Sequence, residues 1–177
     1  MCEFDLTKGI EVCIDTDFVG SCTLADSLDI KSALSRMGHV VKVKNCPMCW
    51  IGKMQIEVAL STTEAKHVAI SQSTRDLIQI QKLVQYLNAF IKVNNKHMNK
   101  HSALFEDKAG TFQLETELKY RPRTKNMCAK YYHVRHHVKK NVMPIRTIEM
   151  DYQHVHVFTK PLALDKFRKI RQLIMGW

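Results

Sequence analysis

The side chains of this 177-residue chain that could do chemistry fall into a few places. Asp15 and Asp17 close a segment in which Ile10, Val12 and Ile14 alternate on one face, the pattern of a half-buried strand. A second pair of acids, Glu106 and Asp107, closes the short run Ser102-Ala-Leu-Phe-Glu-Asp107. Carboxylates at the C-terminal ends of buried strands lie where an α/β sheet ordinarily offers a site. Cys46-Pro-Met-Cys49 has the spacing of half a zinc site, and His133 and His137, with His136 between them, have that of a helical metal pair. There is no second C-x-x-C in the sequence, so the cysteines read as strand residues and the histidines as a solvated or phosphate-facing surface. Between Lys119 and Lys140 there is no Asp or Glu, while Arg121, Arg123, Lys125, Lys130 and Arg135 stand among Tyr120, Tyr131 and Tyr132. Cations interleaved with aromatics suit a surface that tracks phosphates.

The elements that must position these groups follow from the periodicity. Ile10 to Asp17, the stretch from His39 and the stretch Met48 to Leu60 read as three antiparallel strands in meander order. From Ser61 the apolar period becomes helical, through Ala65, Val68, Ala69, Leu77, Ile80, Leu83, Val84 and Leu87. Ser61-Thr-Thr-Glu64 is a capping-box pattern, so a helix of about seven turns starts there. Residues 93–101 are polar and basic and read as a loop. A fourth strand over 102–107, a helix beginning at Lys108, a basic helix, a strand over 145–150 and a last helix over 163–175 complete the order. Leu77, Leu83, Leu87, Leu173 and Met175 are assigned to the core.

Composition narrows the class. Six Gly, four Pro and 45% hydrophobic residues describe an ordinary globular α/β chain. The net charge of +10, from 27 Lys and Arg against 17 Asp and Glu, favours a polyanionic partner, nucleic acid first. No apolar run reaches the roughly 18–20 residues of a membrane span, and the six cysteines show no disulfide framework, so a soluble, intracellular protein with reduced thiols is expected. Nucleophile-elbow, Walker and Rossmann motifs are absent from the sequence, which removes support for those enzyme classes.

Strand order and wording together carry a resemblance. The stretches Gly9-Ile-Glu-Val-Cys-Ile-Asp-Thr-Asp-Phe-Val-Gly20, Ser35-Arg-Met-Gly38, Cys46-Pro47 with Trp50, Ala59-Leu-Ser-Thr-Thr-Glu-Ala65, Phe105-Glu-Asp-Lys-Ala-Gly110, Arg123-Thr-Lys125, Tyr132-His-Val-Arg135 and Phe158-Thr-Lys-Pro-Leu162 stand in order along the chain. From Gly9 to Trp177 the sequence resembles the ribonuclease H domain at the C-terminal end of copia-type retrotransposon Pol polyproteins. The resemblance implies an α/β ribonuclease H-like fold with a mixed five-stranded sheet flanked by helices. It divides the chain into a tail at 1–8, the domain at 9–162, and a C-terminal helix and polyprotein end at 163–177. It implies an RNA–DNA hybrid as substrate, a reverse transcriptase domain in the parent polyprotein as partner, no membrane and no small-molecule cofactor.

The family's reaction is hydrolysis of the RNA strand with Mg²⁺ held by four carboxylates, a hard cation on oxygen ligands. By the resemblance, the strand-one ligand falls on Asp15 and the strand-four ligand on Asp107. The helix glutamate falls on Lys66, and the last aspartate falls on His156. Glu64 is about 200° around the helix from Lys66 and reads as the capping residue. Asp17 and Asp151 are the other acids that could approach the site. An ammonium at 66 repels a divalent cation and is expected to pair with Asp15 or Asp107, and an imidazole suits softer metals than Mg²⁺. The expectation is a catalytically degenerate copy that retains Arg121, Arg123, Lys125, Lys130 and Arg135 as nucleic-acid contacts. The two replacements account for about three of the ten positive charges.

Overall fold

A computed structural model describes residues 9–20, 29–91, 102–106, 132–137, 143–149 and 152–175. Strands β1 (Ile10–Asp17), β2 (Arg36–Val43), β3 (Cys46–Met54), β4 (Ser102–Glu106) and β5 (Ile145–Thr147) form one sheet in the order β3-β2-β1-β4-β5. The first three are an antiparallel meander, with Ile10 opposite Val43 and Asp17 opposite Arg36. β4 runs parallel to β1, with Cys13 opposite Phe105, and β5 runs parallel to β4. Lys44 and Asn45 turn β2 into β3, both at positive φ (52° and 69°). That pair of left-handed residues matches the twist of a two-residue hairpin.

Helix α1 (Thr62–Ile91) is 30 residues, about 45 Å. Its start is fixed by a variant of the capping box: the Ser61 hydroxyl accepts from Glu64 N–H at 3.1 Å, while the Glu64 carboxylate accepts from the N–H of Leu60, one residue before the cap, at 2.8 Å. Buried Ala69, Ile70 and Leu77 pack on Ile10, Val12, Ile14, Met37, Val41, Val43 and Leu104, the α1 side of the sheet. On the opposite side lies helix α2 (His156–Thr159), and helix α3 (Leu164–Met175) follows it in the chain and meets β3. Cys13, Val40 and Val155 form a smaller core there with Phe105, Ile148 and Phe158. Residues alternate between the two sides along each strand, as a pleated sheet demands.

Several sequence expectations are corrected. β3 ends at Met54 rather than Leu60: the buried Gln55 closes the strand, its N–H donating to Ser35 O beside β2 and its side-chain amide to Ala65 O, both at 2.8 Å. β5 ends at Thr147, short of residue 150. Leu77 is fully buried, but Leu83, Leu87, Leu173 and Met175 are 40–54% exposed, so they are not core residues. The expected helix from Lys108 lies outside the described residues. Of the basic stretch, 132–137 is described and is helical.

Candidate functional site

Asp15 sits near the C-terminal end of β1, on the α2 side, with 4% of its surface exposed. In register it faces Gly38 of β2, which faces Gly52 of β3. The two glycines make a shallow seat. A Cβ on Gly38 would meet Val155 Cγ1 at 2.9 Å and the Thr159 Cγ2 methyl at 3.1 Å, and one on Gly52 would meet Phe158 Cβ at 3.0 Å. With no side chain in the way, α2 lies almost against the strands.

That closeness delivers three groups to one oxygen of Asp15. The Thr159 hydroxyl donates to Oδ2, Lys160 Nζ lies 3.6 Å from it, and His156 Nε2 lies 3.8 Å from it. The residues before α2 are tied to the same strand. The Gln153 side-chain amide donates to Ile14 O at 2.8 Å, and Cys13 Sγ lies 4.0 Å from His154 Nδ1. Asp17 takes a different course: its carboxylate folds over the turn that follows β1, where Val19 has φ 51° and a Cβ on Gly20 would be 1.8 Å from Asp17 Oδ2.

Lys66 lies in the second turn of α1 on the other side of the sheet. Its Nζ is 3.7 Å from Glu106 Oε1, at the end of β4, and Glu106 is almost fully buried. The carboxylate beside Lys66 is therefore Glu106, an acid that closes β4 but to which the resemblance assigns no role. Strand alternation could have found it, since Glu106 shares with Leu104 the side that packs on α1. Thr159 and Lys160 were also missed as Asp15 contacts, although both stand in the Phe158-Thr-Lys-Pro-Leu162 segment. Asp107 and Asp151 lie outside the described residues, as do Arg121, Arg123, Lys125 and Lys130. Arg135 is described and is exposed on the helical segment 132–137.

Burial shifts four titratable groups of the described residues, His39, Cys49, His67 and His133, towards their uncharged forms. Desolvation lowers the His67 imidazole to about 4. Desolvation also lowers His39, and outweighs the carboxylate of Asp76, 3.1 Å away across the β2–α1 contact. The Cys49 thiol is pushed up by burial and by Asp76. His133 is lowered by burial and by Arg75 and His136, while its ring meets that of His137 edge-on at 5.0 Å.

The described groups do not fit a pair of hard divalent cations. Mg²⁺ asks for oxygen ligands in octahedral geometry, whereas the groups gathered on Asp15 and Glu106 are two ammoniums, an imidazole and a hydroxyl that donates its proton. No group of three or more His, Cys, Asp or Glu able to hold a metal occurs among the described residues.

Comparison with known proteins agrees with this architecture. No protein-family profile matches the chain. It is 24% identical over 146 residues, 82% of its length, to the retrovirus-related Pol polyprotein from transposon TNT 1-94 of Nicotiana tabacum. It is 21% identical over 168 residues, 95% of its length, to the Pol polyprotein from transposon RE2 of Arabidopsis thaliana. The chain spans about a tenth of the length of these relatives. Among solved structures, the N-terminal ribonuclease H domain of a Mycobacterium tuberculosis protein, determined as a fusion with maltose-binding protein, superposes with a TM-score of 0.54 at 10% identity. That match covers 93% of this chain and 97% of the other. The fold is that of a ribonuclease H domain, and the homologues are copia-type Pol polyproteins.

Proposed function

We propose that this ribonuclease H-like domain, derived from a retrotransposon Pol polyprotein, no longer hydrolyses the RNA strand of RNA–DNA hybrids and acts as a nucleic-acid-binding module. The observation that carries the reading is the pair of replacements at the family's ligand positions. Lys66 stands where the helix glutamate is expected and lies 3.7 Å from Glu106; His156 stands where the last aspartate is expected and lies 3.8 Å from Asp15. An imidazole therefore faces Asp15, and an ammonium stands at the helix position where the resemblance calls for a carboxylate. Without that cation the family's reaction has neither its activated water nor its stabilised leaving oxygen.

Binding is a separate property and survives this loss. Arg135 is exposed, and Arg121, Arg123, Lys125 and Lys130 belong to the same acid-free stretch. Contacts of this kind act on phosphates, so affinity for a hybrid should fall steeply with salt. A non-enzymatic interaction protein built on the same fold is the contrasting reading, and no measurable affinity for a hybrid at low salt would favour it.

The test compares hybrid cleavage in Mg²⁺ and Mn²⁺ by the wild type and by the variant Lys66→Glu/His156→Asp. The wild type is expected to bind and not cleave, and the double variant to gain measurable cleavage. Metal-dependent cleavage by the wild type, abolished by Asp15→Asn, would overturn the reading.

A further inference from the structure

We infer, building on that reading, that the carboxylates at this end of the sheet carry their counter-ions within the chain, and that Asp15 anchors α2 to β1 instead of holding a divalent cation. Thr159, His156 and Lys160 all approach the same atom, Asp15 Oδ2. Gln153 and His154 contact the two preceding residues of β1, Ile14 and Cys13, and Val155 packs on Cys13 and Val40. Residues 153–160 are thus fastened to three consecutive positions of the central strand, and the polar fastening converges on Asp15. On the other side of the sheet Lys66 lies against Glu106 in the same way, a long side chain from a helix over a buried acid.

The two roles for Asp15 differ in sign. A metal-holding carboxylate is crowded by other oxygen ligands, so without the metal it is repelled, and removing its charge relieves the fold. A carboxylate that accepts from a hydroxyl and lies beside an ammonium is held by those described groups. Removing its charge leaves those groups without the partner they converge on. Added Mg²⁺ likewise stabilises a protein that binds it and leaves this one unchanged.

Thermal unfolding of the full chain tests both signs at once, in MgCl₂ or EDTA at matched ionic strength. The wild-type Tm should be the same in both, Asp15→Asn should lower it by about 4 °C, and Thr159→Val should lower it by about 2 °C. Thr159→Val removes only the hydroxyl donor, so it reports on the anchor even if Asp15→Asn does not fold. A Tm that rises or stays unchanged in Asp15→Asn, or an unchanged Tm in Thr159→Val, would sink the anchor, and a wild-type Tm that climbs in MgCl₂ would sink the internal counter-ions. A wild type that melts higher in MgCl₂ yet does not cleave hybrid would overturn this inference and spare the functional reading. Cleavage would overturn the functional reading by itself.

Discussion

The two sides of the sheet are built on different principles. On the α1 side, 12 buried hydrophobic residues from β1, β2, β4, α1 and the segments 132–137 and 143–149 form a continuous core. On the α2 side the buried hydrophobic cluster among the described residues is smaller, Cys13, Val40 and Val155 with half-buried Phe105, Ile148 and Phe158 against it, and a polar cluster centred on Asp15 lies beside it. Apolar packing is indifferent to which charges line the far side of the sheet. Under the proposed loss of metal ligands the fold persists for this reason: the residues of the larger core are not the carboxylates assigned to a metal.

The sharpest way to break this comparison is Leu77→Ala, which removes a fully buried side chain from the larger core. It should cost about 2–5 kcal/mol of unfolding free energy, measured by urea denaturation, whereas Val155→Ala in the smaller core should cost less. Equal losses would mean that the two sides contribute alike. A second effect is acid sensitivity on the α1 side. The folded His67 imidazole is held at about 4, below the 6.5 of an exposed histidine, so the unfolded chain binds the extra proton first. Stability from this group is complete above pH 6.5, is lost as pH falls from 6.5 towards 4, and amounts to about 3 kcal/mol. His39, also lowered, acts in the same direction. Urea midpoints across that window should fall in the wild type and flatten in His67→Gln. The smallest effect belongs to the α2 side: Gly38→Ala places a methyl 2.9 Å from Val155 Cγ1 and should cost about 2 kcal/mol, with little change in the exchange protection of α1 amides.

Much of the α1 side could be read from the sequence. The alternation of Ile10, Val12 and Ile14 marked β1, and Ser61-Thr-Thr-Glu64 marked the start of α1 through hydrogen bonds that are local in sequence. Local signals weaken where the outcome depends on a distant neighbour. Helical period placed Leu83 and Leu87 in one stripe with Leu77, but not where the sheet beneath the stripe ends, and both are exposed. The site was legible to the extent that motif positions located Asp15, Lys66 and His156. Its actual contacts were not, because Glu106 meets Lys66, and Thr159 meets Asp15, across 40 and 144 residues of chain. Strand alternation says which side a residue faces and is silent about which helix side chain is long enough to reach it.

The facing glycines of β2 and β3 act as a gauge block. With Gly38 and Gly52 contributing no thickness, the separation between α2 and the strands is set by Val155, Phe158 and Thr159 touching backbone. At that fixed height any side chain at position 156 is brought within a few ångströms of Asp15, whatever its charge. A clearance so small has two settled states: like charges must share a cation to remain there, and unlike charges close on each other directly. On the proposed reading, an aspartate-to-histidine exchange at position 156 therefore changes what Asp15 meets without moving a strand.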